Sequence, residues 1–135
     1  MNNPQISYLL ARLPIAVSML GHGLVRIPKL DKFSGWMMSE FSKSVLPQNA
    51  VKAFAYVLPF AELLIGALLV IGLFTRYTLI AGVVVMLLLI FGSSMIEQWN
   101  NVFIQMMYGV YFALLYHFVN YNSYAADKFI AVTKN

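Results

Sequence analysis

The sequence predicts an all-α integral membrane protein, an antiparallel four-helix bundle with an interfacial helix in its first loop. Three observations carry that prediction. Of the 135 residues, 61% are hydrophobic and 10% charged, with a mean hydropathy of +0.75, whereas an average soluble domain carries about a quarter of its residues as Asp, Glu, Lys or Arg. The apolar residues fall into four runs, each close to the ~20 positions that one bilayer-spanning helix needs. The second, third and fourth runs are joined by very short links, and short links force consecutive helices to pack side by side. Four spans use up the hydrophobic material, so residues 1–135 read as a single transmembrane domain.

The first span covers about residues 6–27. A secretory signal opens with basic residues and closes on a small-residue cleavage site. Here the first cation is Arg12, inside the apolar run, so the segment reads as a mature helix. It is the least apolar of the four, carrying Arg12, His22 and Arg26, and Pro14 is placed to bend or loosen its first third. In the first connection Phe33, Trp36, Met37, Phe41 and Val45 recur at helical spacing between Pro28 and Pro47. This predicts an interfacial helix over about 31–46, with Trp36 at head-group depth.

The second span, about 53–74, holds a single charge, Glu62, three residues after Pro59. Thr75 and Arg76 then link it to the third, 77–96, which has no charged residue at all. Residues 97–101 lead to the fourth, 102–119, rich in aromatics such as Tyr108 and Phe112 and carrying Gln105 and His117. From Ser123 onward the chain reads as a second, weaker interfacial helix. Four spans place both termini on one side. That side holds Arg12, Arg76, Lys128 and Lys134; the other holds Arg26, Lys29, Lys32, Lys43 and Lys52. The positive-inside rule therefore favours neither orientation.

The chain has no cysteine, which excludes a disulfide, a thiolate nucleophile and a cysteine-held metal centre. Its net charge of +4 and pI near 9.4 come from scattered cations. Those suit lipid head groups, and no basic cluster or stacking module points to nucleic acid.

Ionisable side chains in hydrocarbon are costly, so they are expected to face the bundle interior and pair. With a rise of about 1.5 Å per residue, and measured from the side holding the long loop, His22 lies roughly 6 Å deep, Glu62 roughly 13 Å, Arg12 roughly 21 Å and His117 roughly 22 Å. The two histidines thus differ by about 16 Å, too far to ligate one haem iron within a chain, so a bis-histidine haem is not expected. Glu62, near mid-membrane, needs company. Arg12 is expected to reach it from one side and His22 from the other. The arrangement admits two readings: an Arg12–Glu62 pair that fixes the packing of the first two spans, or a polar pocket of Arg12, His22 and Glu62 that binds a quinone head group or relays protons. Gln105 and Tyr108 lie on the His22 side and are placed to join it. Arg76 reads as an interface anchor. Gly21, Gly23, Gly66, Gly72, Gly82 and Gly109 read as sites of close helix contact.

Arg12, then His22-Gly23-Leu24-Val25-Arg26 closing the first span, then a long loop and PFAELLIGALLVIGLFTR in the second, together resemble the DoxX/DoxD-like family of small four-helix membrane proteins. The resemblance covers about the first two-thirds of the chain, through the third span. It implies a four-helix bundle with an interfacial element in the first loop. The family's motif arginine and glutamate would correspond to Arg12 and Glu62, and its basic position closing the first span to Arg26 or Lys29. Some members are linked to membrane oxidoreductases, including the small subunits of thiosulfate:quinone oxidoreductase. Others associate with superoxide dismutase and a sulfurtransferase in an oxidative-stress complex, and distant eukaryotic relatives act as receptor-assembly chaperones.

The function expected is therefore a subunit of a quinone-linked membrane oxidoreductase or oxidative-stress complex, in the bacterial inner membrane. Its electrons would come from a membrane or membrane-associated partner protein; no metal site is expected. The competing readings are a non-catalytic scaffold or assembly factor and, behind it, a small transporter, which would need a homo-oligomer to form a pore.

Overall fold

Backbone amides cannot be left bare among so many apolar side chains, and every long apolar run is helical. The computed structural model describes residues 3–133; Lys134, one of the cations counted above, lies outside them. The helices are α1 (Asn3–Arg26), α2 (Leu30–Glu40), α3 (Gln48–Ile71), α4 (Thr75–Met95), α5 (Trp99–His117) and α6 (Ala126–Thr133), with short 3-10 turns at Ile27–Lys29 and Val119–Tyr121. No strand occurs among the described residues. Three segments are long and apolar enough to cross a membrane: α1 with its continuation through α2, then α3, then α4. In α5, Asn100, Asn101, Gln105 and three tyrosines dilute the apolar character.

The helices pack as two pairs. In the first, α1 lies antiparallel on α3, and both run on through an internal proline, Pro14 and Pro59. Glycine sets how close they come. A Cβ on Gly23 would stand 2.6 Å from the Leu63 Cβ and 2.7 Å from the Pro59 carbonyl oxygen; one on Gly66 would collide with the backbone of Leu20. Gly21, expected to do the same, faces open space. In the second pair α4 lies on α5, with the Phe112 ring against Gly82. A core of Tyr8, Ile15, Met19, Leu69, Leu79 and Phe112 joins the pairs.

One end of this assembly is tightly latched. Gly72, at φ +72°, ends α3, and its N–H and that of Leu73 both donate to the Leu68 carbonyl, a Schellman closure. The turn is thus Gly72 to Phe74, and Thr75, expected as a linker, is already helical. The side chain that caps α4 arrives from α6: the Asp127 carboxylate accepts the N–H groups of Phe74 (2.6 Å) and Thr75 (2.8 Å), while the Asp127 N–H donates to the Gly72 carbonyl. A carboxylate there satisfies orphan donors and meets the positive end of the helix dipole. Asp127→Ala is expected to lower stability by about 1–2 kcal/mol, read as an earlier thermal transition in detergent, with Asp127→Asn losing less.

At the other end α2 packs across the first half of α3, burying Met37 against Val51, Ala55 and Leu58. Polar ties hold it there. The Tyr56 hydroxyl donates to Asp31 (2.5 Å), and Gln98, in the α4–α5 link, donates through Nε2 to Glu40 (2.8 Å).

Candidate functional site

The helix pairs that meet at the latched end part at the α2 end. Helices α1 and α5 are stitched by Tyr8 donating to the Leu115 carbonyl (2.7 Å), by Tyr111 donating to that of Ala11 (2.5 Å), and by a hydrogen bond between the Ser18 and Tyr108 hydroxyls (2.6 Å). Beyond Tyr108 a cavity of about 650 Å³ opens between the pairs, walled by α2. Much of its wall is apolar and aromatic, with Phe33, Trp36, Phe41, Phe54 and Met86 among the lining residues.

Its polar pole is small and specific. Glu62 projects from α3, only 3% exposed. Arg26, at the last residue of α1, donates from Nη1 to Glu62 Oε1 at 2.8 Å. The same guanidinium lies over the Phe33 ring of α2, 4.6 Å from its centroid, a cation–π contact. One turn before Arg26, His22 holds the Ser18 carbonyl through Nδ1 at 2.7 Å. A carbonyl only accepts, so Nδ1 carries the hydrogen and the neutral ring keeps Nε2 as an acceptor. From α5, Gln105 donates through Nε2 to Ser93 Oγ on α4 (3.0 Å), and its Oε1 is buried with no partner among the described residues. The Tyr108 ring stands edge-on to His22, centroids 6.5 Å apart. Arg26 and Glu62 cancel in charge, and most of the guanidinium's N–H groups remain available. The pole therefore offers donors and acceptors side by side with no net charge.

The expected Arg12–Glu62 pair does not form; the partner of Glu62 is Arg26. The reason is register. Gly66 faces Ala16 and Leu20, and Gly23 faces Pro59 and Leu63, so Glu62 is level with His22 and Arg12 is level with Gly72. Arg12 and Glu62 are thus separated by about 15 Å along the axis. Helix side chains also lean toward the N-terminus of their own helix. Arg26 leans inward to Glu62, and Arg12 leans away from it.

Arg12 sits at the latched end, 2% exposed. Its Nη1 donates to Asn122 Oδ1 (2.5 Å) and its Nη2 to the carbonyls of Tyr124 (3.0 Å) and Val70 (3.4 Å). Asn122 in turn donates to Thr75 Oγ1 (2.9 Å). The arginine ties the first half of α1 to the end of α3, the segment before α6 and, through Asn122, the start of α4. Arg76 is also outside the cavity, exposed and donating to Asn120 Oδ1 (2.9 Å). Of the seven residues singled out in the sequence, the cavity brings together His22, Glu62, Arg26, Gln105 and Tyr108 and leaves out Arg12 and Arg76. Ser93 was missed: a serine on an apolar helix carries no signal until the glutamine opposite it is known. The choice of Arg26 over Arg12 was legible in the lean of helix side chains.

Residues 7–94 match the family model DoxX. No curated protein and no solved structure matches the chain.

Proposed function

This chain belongs to the DoxX family, and from that premise we propose that it is an integral protein of the bacterial inner membrane whose cavity receives the head group of a quinone within a membrane oxidoreductase. In this reading α1, α3, α4 and α5 cross the bilayer as an antiparallel bundle, both ends of the chain share one side, and α2 lies in the opposite interface. The observation that carries it is the polar pole: the Arg26–Glu62 pair, His22 and the unpartnered Gln105 Oε1, in the wall of a largely apolar cavity.

Those groups suit a head that alternates between C=O and O–H. The free N–H groups of Arg26 donate to a carbonyl. Glu62 Oε2, which accepts no hydrogen bond among the described residues, and Gln105 Oε1 accept from a hydroxyl. Glu62 is placed to exchange a proton with the head, and Arg26, lying over the Phe33 ring, holds the carboxylate by its Oε1. His22, one turn from Arg26 and exposed, is placed to pass that proton to the surface. Reduction to the quinol takes two electrons as well as two protons, and the electrons come from a partner protein.

Protein purified with native lipids is expected to hold quinone well above its ratio in bulk membrane. Glu62→Gln is expected to lower that retention about tenfold or more, the scale of one hydrogen bond to a charged group, while a cooperative melting transition, at a lower midpoint, shows the variant folded. No enrichment in the wild type, or equal enrichment in the variant, contradicts the reading. Partner capture with no quinone in either would favour the scaffold.

A further inference from the structure

Immediately beyond Tyr108, on the same seam between α1 and α5, lies a second hollow of about 240 Å³, lined by Pro14, Ile15, Ser18, Met107, Tyr108 and Tyr111. Tyr108 belongs to the wall of both, so the hollow adjoins the cavity on the side of the latched end. Its polar groups are already engaged. The Ser18 hydroxyl bonds that of Tyr108, Tyr111 donates to the Ala11 carbonyl, and Pro14 has no N–H. A polar head would find nothing here to bond; an apolar chain would lose nothing. The lining residues lie around the middle of α1 and α5, the depth at which acyl chains surround a membrane helix.

We propose that this seam is a tail subsite. It takes the apolar chain of the same amphiphile whose head group lies in the cavity, with the chain passing Tyr108. The inference rests on the reading of the cavity given above and adds the direction of the tail: along α1 and α5 toward the latched end, and not outward past Trp36 and α2. Because lipid is as apolar as the seam, hydrophobic transfer supplies no preference between them. Selection comes from packing against the fixed wall of Ile15, Tyr108 and Tyr111.

The test is photolabelling in nanodiscs with two benzoquinone probes, one carrying a diazirine at the end of a ten-carbon chain and the other on the ring, each with and without unlabelled decyl-benzoquinone as competitor. The tail probe is expected to mark Ile15, Met107 and Tyr111, with adducts that the competitor removes; the ring probe is expected to mark residues at the Glu62 pole. In Met107→Trp, which fills the seam from a position already 48% exposed, tail adducts at Tyr111 should fall about tenfold, the scale of an overpacked contact, with ring adducts unchanged. Competed ring adducts with the tail marking Trp36 or Phe33 would overturn the subsite and leave the cavity reading intact. No competed ring adduct at all would overturn both. Tail adducts that resist competition would identify ordinary lipid exposure and overturn the subsite.

Discussion

Replacing Arg26 with Met is expected to destabilise the fold by about 3 kcal/mol, the lower end of the range for breaking a buried ion pair. The lower end applies because the arginine side chain is 31% exposed, whereas that of Glu62 is only 4% exposed and would be left without its cation. Replacing Glu62 with Met at the same time should recover most of the loss, since two apolar side chains tolerate this site better than one orphaned charge. The coupling between the two positions, read from a double-mutant cycle of unfolding in mixed detergent, should approach that figure. A cycle between Arg12 and Glu62 should be additive to within about 0.5 kcal/mol, because the groups share no partner. Strong coupling at Arg12 with none at Arg26 would show the register described here to be wrong.

A larger effect is expected at Gly66. Its missing side chain lets the backbones of α1 and α3 touch, and even a methyl group there would overlap backbone atoms of Leu20. Backbone cannot rotate aside as a flexible side chain can. Gly66→Val therefore has to part the helices, losing the contacts of Ile15, Met19, Ile65 and Leu69 in the joint core. The expected loss exceeds the usual ~1–3 kcal/mol of an overpacked core site and should appear as failure to accumulate folded protein. Gly21→Val, two positions from Gly23 and facing open space, is the matched control and should accumulate as the wild type does. If Gly66→Val folds normally, the close crossing is not what holds α1 to α3.

These two positions also mark how far the sequence carried. Four apolar runs, the short links and the helical spacing of Phe33, Met37 and Phe41 were enough to place α1 to α5, because hydrophobic periodicity is a local property. Depth puts His22, Gln105 and Tyr108 toward the same side, but no spacing rule requires them to share a space with Glu62. Depth alone misplaces the partner of Glu62, because it is counted from assumed helix ends; only the lean of helix side chains favours Arg26. In the structure α3 starts at Gln48 and overshoots the end of α1, with α2 packed along the excess. That slides Glu62 toward Arg26 by about one turn. The role of Arg12 depends on Asn122 and Tyr124, more than a hundred residues away, and no local pattern announces such a latch. Asp127 capping α4 from α6 is hidden for the same reason.

In the proposed function the cavity beside α2 binds a quinone head at the Arg26–Glu62 pole. The chain has two tryptophans, of which Trp36 lines that cavity, so Trp99→Phe leaves a single reporter in its wall. Titrating this protein in nanodiscs with a short-chain benzoquinone should quench Trp36 fluorescence along a saturating curve, whose midpoint weakens about tenfold or more in Glu62→Gln. Quenching that rises in proportion to quinone without saturating, and identically in both proteins, would mean that the quinone meets Trp36 only from the surrounding lipid and that the cavity does not hold it.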